Sequence, residues 1–171
     1  MTDEPLLETD PPTPTQATSA AERRQLAEQI AHLVDQQLYA ILCTQGEGQP
    51  YGSLVAFAVT EDLKAAVFAT PVSTRKYRLL CECDHVALVI DSRSTSSEDM
   101  MNIEAVTATG RAAQLSPGQE FDDFAGLLTR RHRHLEGFIK SPTSAVFRVE
   151  MVRYFHVSHF QEVRQWIPTR G

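Results

Sequence analysis

Cations and hydroxyl groups are concentrated in residues 70–78 of a chain whose formal net charge is −6. The hydroxyls of Ser73 and Thr74 stand where the pattern predicts that a helix begins. The basic side chains of Arg75 and Lys76 follow at once, although the helix macrodipole disfavours positive charge at this end of a helix. A bound anion would reverse that preference, because hydroxyls, helical N–H groups and basic side chains all bind phosphate. The sequence therefore predicts an anion site here, and a solvated basic turn is the alternative.

The composition excludes several classes of function. The first 22 residues carry five acidic side chains and no Lys or Arg, so the rest of the 171-residue chain is nearly neutral. We expect no general attraction to nucleic acid or to an anionic membrane. No apolar run approaches the ~20 residues of a membrane span, and no secretory signal is recognisable. Three cysteines do not form a disulfide framework, so we expect a cytoplasmic protein.

The chain divides into a tail and one domain. Residues 1–18 are rich in proline and acidic residues, which predicts a disordered tail. Residues 19–171 are predicted to form a single domain that begins with a helix. Ser19 and Glu22 have the spacing of a capping box. One apolar stripe of this helix follows at helical spacing and consists of Leu26, Ile30, Leu33 and Val34.

In much of the remaining sequence, the pattern of apolar residues and turn residues is typical of β-strands. A Gly-bearing turn between two apolar segments predicts a hairpin, and Ser116-Pro117 predicts the start of a helix. A further helix is predicted over residues 73–82. The predicted strands are residues 38–44, 50–59, 65–69, 85–91 and 104–115, with one or two more in 144–157. Six or seven strands with peripheral helices favour a closed or nearly closed antiparallel barrel.

Three segments give the chain a resemblance to a known family. The stretch FATPVSTRK, residues 68–76, resembles the F-x-T-x(3)-S-R-K phosphate loop of the pyridoxamine 5'-phosphate oxidase-like FMN-binding split barrels, with Thr74 in place of Ser. The stretch VTATGRAAQL, residues 106–115, is similar to the family strand V-x(3)-G-x-A-x-x-L. The strand over residues 50–57 corresponds to the strand that faces the flavin ring. The resemblance spans about residues 20–160 and implies a mainly β fold, a six- to seven-stranded antiparallel split barrel.

The resemblance also implies a cofactor, a set of contacts and an assembly. FMN is the implied cofactor, and the implied function is that of a flavoprotein oxidoreductase or electron-transfer protein with a small-molecule redox substrate. A homodimer with the flavin at the subunit interface is implied as well. The implied cofactor contacts are Ser53, Val55, Ala56, Phe57, Thr70, Ser73, Thr74, Arg75, Lys76 and Trp166. No side chain is identified as catalytic.

Two departures separate this sequence from the vitamin B6 oxidase itself. Ala105 stands where that enzyme has a glutamine at the flavin, and the C-terminal Arg-Leu-x-Pro ending is absent. We therefore expect a relative with a different substrate. Alternatives remain open: a haem-binding or haem-degrading relative, for which His156 and His159 are candidates, a reductase using the deazaflavin F420, or a barrel without a cofactor.

Cysteines and histidines elsewhere do not indicate a metal. Cys81-x-Cys83 lies near His85, but this spacing is tighter than that of the usual zinc ligands, and no second cysteine pair exists. Cys81 is expected to pack in the core. The run from Arg130 to His134, which contains His132, is expected to be an exposed helix end.

Overall fold

The computed structural model describes residues 15–16, 19–93, 100–159 and 162–168. Most of the predicted tail lies outside these residues. Its described part, Thr15–Gln16, forms a two-residue strand, β1. The strands that follow are β2 (Tyr39–Gly46), β3 (Gln49–Val59), β4 (Ala65–Pro71), β5 (His85–Asp91), β6 (Ala105–Gln114), β7 (Ser144–Ser158) and β8 (Glu162–Trp166). The α-helices are α1 (Ala20–Gln36), α2 (Arg75–Glu82), α3 (Gln119–Arg131) and α4 (Glu136–Ile139).

Six antiparallel strands form a closed barrel. The order is β7-β4-β3-β2-β5-β6, and a further pairing between β6 and β7 closes the circle. β8 pairs with the end of β7, and β1 pairs in parallel with β8. This topology confirms the predicted mainly β split barrel with peripheral helices.

The long strand β7 pairs with two neighbouring strands, β4 and β6. Its first half pairs with β4, and most of its length pairs with β6. The register with β6 shifts between Thr109 and Gly110. Gly110 crosses β7 so closely that an added Cβ would collide with the Glu150 carbonyl and lie 2.8 Å from a methyl group of Val149. Only glycine fits this crossing without a shift of the main chain.

Helix α1 packs against the barrel core. The capping box is present, because Ser19 Oγ accepts from the N–H of Glu22 and the Glu22 carboxylate accepts from the N–H of Ser19. The predicted apolar stripe is buried and belongs to the barrel core. At the other end of α1, the Arg131 guanidinium donates to the main-chain carbonyls of Val34, Asp35 and Gln37. These contacts satisfy carbonyls that the helix end leaves without a partner.

Helices α3 and α4 cover one side of the barrel exterior. Ala58 and Val67 face outward from β3 and β4 and pack against a second apolar cluster that includes Leu128 and Ile139. The predicted start of α3 at Ser116-Pro117 is wrong: the helix begins at Gln119, after Gly118, and no side chain caps it. The Ser-Pro signal is local and carries no information about tertiary packing. Phe121, Phe124 and Leu127 pack against the barrel, and this packing constrains the position of the helix.

The opposite side of the barrel exposes apolar side chains. Register places one outward row across five strands: Leu54, Ile41, Val89, Thr107 and Phe155. Leu54 is 63% exposed and the neighbouring Tyr39 is 48% exposed. Within the described residues, no helix packs on this row. Such a contiguous apolar strip is typical of a surface that binds a partner.

Candidate functional site

Two threonines hold the predicted phosphate loop in shape. Thr70 is fully buried, and its hydroxyl lies 3.0 Å from the hydroxyl of Thr74. Thr74 caps α2: its Oγ1 donates to the Pro71 carbonyl and accepts from the N–H of Tyr77. Both hydroxyls are therefore engaged within the loop. Their predicted role as phosphate donors stays a prediction, and in this geometry they fix the loop that carries the cations.

The first turn of α2 offers open donors. The N–H groups of Arg75 and Lys76 are the first two of the helix, and neither has an acceptor among the described residues. The Arg75 guanidinium lies 5.8 Å from the centre of the Tyr51 ring. The Ser73 side chain is exposed beside these groups. Open N–H groups and basic side chains at the same helix end are suited to bind an anion.

Lys76 joins the phosphate loop to β3. Its Nζ donates to the main-chain carbonyl of Leu54 at 3.4 Å, and the side chain is only partly exposed. Burial lowers the pKa of the Lys76 ammonium, because its charged form is incompletely solvated. An anion bound next to it would supply the missing stabilisation of the charge.

The four predicted contacts on β3 differ in how they are placed. Val55 and Phe57 point into the core, so only their main chain can reach a ligand. The carbonyl of Phe57 is occupied by Nε2 of His132, 2.9 Å away. Ala56 is half-buried on the outer face. Ser53 lies on the same face as Val55, and its hydroxyl is buried with no hydrogen-bond partner among the described residues.

A groove of about 380 Å³ adjoins the Lys76 contact. Tyr39, Ile41, Leu54 and Val89 form its apolar wall, and all lie on the uncovered side of the barrel. Its polar end carries Asp91, whose carboxylate accepts from the Arg93 side chain at 2.7 Å. This volume and lining are typical of a small-molecule site, although the groove is open on one side.

The C-terminal residues considered as cofactor contacts, Trp166, His156 and His159, have different surroundings. The Trp166 ring packs at 5.5 Å from the Tyr154 ring and joins the core of its own subunit. His156 is fully buried between Glu104 and Arg164. His159 is exposed, and only the Glu162 carboxylate is near it among the described residues. A role for Trp166 at a partner's flavin stays a prediction.

One group of potential metal ligands among the described residues includes a cysteine. Ligand atoms of Cys83, Asp84 and His85 lie within 4.8 Å of one another. The Asp84 carboxylate is already paired with His85 at 3.0 Å and with Arg111 at 3.5 Å. The expectation that Cys81 packs in the core is wrong: Cys81 is exposed, because α2 buries its Leu79 and Leu80 face.

Two site residues were missed by the sequence interpretation. Tyr51 lies beneath Arg75, and Leu54 supplies both the carbonyl for Lys76 and part of the groove wall. The alternation of β3 could have identified Leu54, because it lies on the face opposite the buried Val55 and Phe57. Tyr51 shares their face and lies near the start of the strand, so alternation gives no signal for it.

Comparison with known proteins identifies the family. The sequence pattern of the pyridoxamine 5'-phosphate oxidase family matches residues 26–158. The chain belongs to the pyridoxamine 5'-phosphate oxidase family. The match includes the phosphate loop, β3 and the whole closed barrel. Among proteins with curated descriptions, none matches the chain.

Several solved structures share the fold of this chain at low sequence identity. A haem-binding protein from Mycobacterium smegmatis has a TM-score of 0.75, with 17% identity over 83% of this chain and 57% of its own. A protein from Clostridium acetobutylicum related to general stress protein 26 has a TM-score of 0.64 and 15% identity, over 84% of this chain and 94% of its own. A FAD-binding protein from Mesorhizobium loti has a TM-score of 0.62 and 13% identity, over 76% of this chain and 90% of its own. This chain therefore spans little more than half of the Mycobacterium protein.

Proposed function

We propose that the chain is an FMN-binding flavoprotein, acting in the cytoplasm as an oxidoreductase or electron-transfer protein on a small-molecule redox substrate. The observation that carries the proposal is the first turn of α2, where two open N–H groups meet Arg75 and Lys76. A flavin phosphate brings about two negative charges and three acceptor oxygens, which match these donors. Bound flavin would supply the redox chemistry, taking up and releasing electrons singly or in pairs.

The residues of the chain would position the cofactor. Arg75 and Lys76 bind and neutralise the phosphate, and the contact of Lys76 with Leu54 holds that cation against β3. The apolar groove, which Leu54 lines, fits a ligand that lies along the outer face of this strand. The groove wall would exclude water from one face of the flavin ring.

A second subunit would complete the site. The groove is open, and a tightly bound flavin needs most of its surface covered. The apolar row that ends at Leu54 is uncovered on the same side of the barrel. Pairing this surface with its copy about a two-fold axis would bury the row and create two equivalent sites. We therefore propose a homodimer with the flavin at its interface.

Titration of the flavin-free protein with FMN tests the proposal. Arg75→Ala with Lys76→Ala removes two charge-assisted contacts, each worth about 1.5–3 kcal/mol, and should weaken FMN binding strongly. The matched control is Arg23→Ala with Arg24→Ala, an adjacent exposed pair on α1. Equal FMN affinity in the double variant and the control would remove this site from consideration.

Haem is the second candidate ligand. It is favoured by the name of the Mycobacterium smegmatis neighbour and by the exposed imidazole of His159. The other candidate histidine, His156, is buried and hydrogen-bonded, so it is poorly available as a ligand. An absorbance spectrum of the purified protein separates the two, since haem and flavin absorb in distinct bands. A Soret band that His159→Ala abolishes would favour haem over flavin.

A further inference from the structure

The end of α2 and the start of β5 bring together three side chains of types that bind metal ions. Ligand atoms of Cys83, Asp84 and His85 lie within 4.8 Å of one another, and all three residues are partly exposed. They supply a sulfur, a carboxylate oxygen and an imidazole nitrogen, the donor atoms that bind Zn²⁺ in proteins. Spacing along the chain predicted no zinc site, because zinc ligands are usually separated by two or more residues. The convergence comes from the fold, and it includes Asp84 rather than Cys81.

Main-chain hydrogen bonds hold all three residues in place. Cys83 is the C-cap of α2, and its N–H donates to a carbonyl in the last turn of that helix at 2.9 Å. The Asp84 carbonyl accepts from the N–H of Ala112 at 2.8 Å. His85 is the first residue of β5, where it pairs with Arg111 of β6. Ligands on a fixed main chain lose little conformational entropy when an ion binds.

The contact between Asp84 and His85 has nearly the separation of two ligands on one ion. Oδ1 of Asp84 lies 3.0 Å from Nδ1 of His85. Two bonds of about 2.0 Å at a tetrahedral angle place their ligand atoms about 3.3 Å apart. A zinc ion can therefore take the place of the proton between these two atoms. The Cys83 sulfur, within 4.8 Å of both ligands, must come to about 3.6 Å, which a small rotation of its side chain supplies.

Two neighbouring side chains would orient these ligands. Nε2 of Gln45 donates to Sγ of Cys83 at 3.7 Å. Nη1 of Arg111 lies 3.5 Å from Oδ2 of Asp84, the oxygen atom that does not face His85. Hydrogen-bond donors in such positions fix the geometry of metal ligands. The Arg111 charge repels a cation, but the thiolate and the carboxylate together carry two negative charges, which balance those of Zn²⁺.

We propose that Cys83, Asp84 and His85 bind one zinc ion, with water in the fourth position of the tetrahedron. The ion would lie at the C-terminal end of α2, where the helix macrodipole favours positive charge. The anion site of the proposed function is at the opposite end of the same helix, so the two sites are separate. Zinc would join α2 to β5 and thereby stabilise the helix that carries the anion site.

Isothermal titration of the reduced, tag-free protein with zinc chloride tests the inference. The expected result is one ion per chain. Cys83→Ser and His85→Ala each remove a ligand, and Gln45→Leu removes the donor to the thiolate, so each should raise the Kd for zinc about tenfold or more. The matched controls are Cys81→Ser, at an exposed cysteine two residues away, and His134→Ala, at an exposed imidazole. Both should keep the wild-type Kd.

Cobalt(II) tests the sulfur ligand directly. It takes tetrahedral zinc sites, and its bond to a thiolate gives an absorption band that Cys83→Ser should abolish and Cys81→Ser should retain. Circular dichroism of the metal-free variants establishes that they fold. A wild-type protein that binds no zinc would overturn the inference, as would an equal loss of zinc affinity in Cys83→Ser and Cys81→Ser. Either result leaves the proposed flavin site standing, because FMN titration measures that site separately.

Discussion

The Nε2 atom of His132 lies 2.9 Å from the carbonyl oxygen of Phe57. His132 directly follows α3, and Phe57 lies in β3 one residue beyond the last pair with β2. Both residues are buried. A buried carbonyl needs a hydrogen-bond donor, and the imidazole N–H supplies it. The contact thus fixes the end of β3, the strand that carries the candidate site, to the end of α3.

Acid should weaken the fold through His132 and His156. Burial is the largest cause that lowers the pKa of each imidazole. The unfolded chain then takes up these protons first, so the stabilising contribution is present above the unfolded pKa and is lost as pH falls through the folded one. We expect the free energy of unfolding, measured with urea, to fall between about pH 7 and pH 5.

Glutamine variants isolate this effect. His132→Gln with His156→Gln keeps N–H donors at both positions but cannot titrate in this range, so the loss of stability in acid should become smaller. His32→Gln, on the exposed side of α1, is the control and should retain the acid loss. The same pH dependence in the double variant as in the wild type would show that these imidazoles are not responsible.

Alkaline pH should weaken FMN binding. The ammonium of Lys76 must be charged to bind phosphate, and burial lowers its pKa, so affinity should fall as pH rises through that lowered value. The loss of one charge-assisted contact corresponds to about a tenfold increase in Kd or more. Lys76→Arg keeps a charge at every accessible pH and should remove the alkaline decline. A parallel decline in both proteins, measured by titration, would assign the effect to another group.

Leu54→Asp should convert the proposed dimer into a monomer. Leu54 is 63% exposed in the single subunit, so a carboxylate there is solvated in the monomer but buried without a partner in the dimer. Light scattering measures the mass directly. The control is Met101→Asp, which changes another exposed apolar residue, 51% exposed and outside the β-strands and the phosphate loop. A wild-type protein of 19.1 kDa that still binds FMN tightly would contradict the assembly.

Gly110→Ala should destabilise the barrel. The added methyl group would meet the Glu150 carbonyl and Val149, and overpacking of this kind costs about 1–3 kcal/mol. Gly126→Ala is the matched control, because among the residues that the structure describes its added methyl group would meet only the flexible end of Arg130, at 3.4 Å. That change lies inside α3 and should stabilise the protein by up to about 1 kcal/mol. Urea denaturation of the two variants should therefore give opposite signs.

Local patterns predicted those elements whose causes are local. The capping box and stripe of α1 and the bounds of β5 follow from neighbouring residues. The start of α3 does not, because that helix is placed by its packing on β3 and β4. Side-chain chemistry was also insufficient at the phosphate loop. The contact of Thr74 with a ligand stays a prediction, whereas its capping of α2 depends on the three-dimensional path of the main chain.

The position of β7 in the chain has a consequence for biosynthesis. β7 is the last strand of the barrel to leave the ribosome, yet it is the partner of both β4 and β6. Until it emerges, the nascent chain holds an open sheet with two unpaired edges, which are sites at which chains aggregate. Closure joins segments far apart in sequence and is therefore slow. We therefore expect the nascent chain to be most prone to aggregation before residues 144–158 have been made.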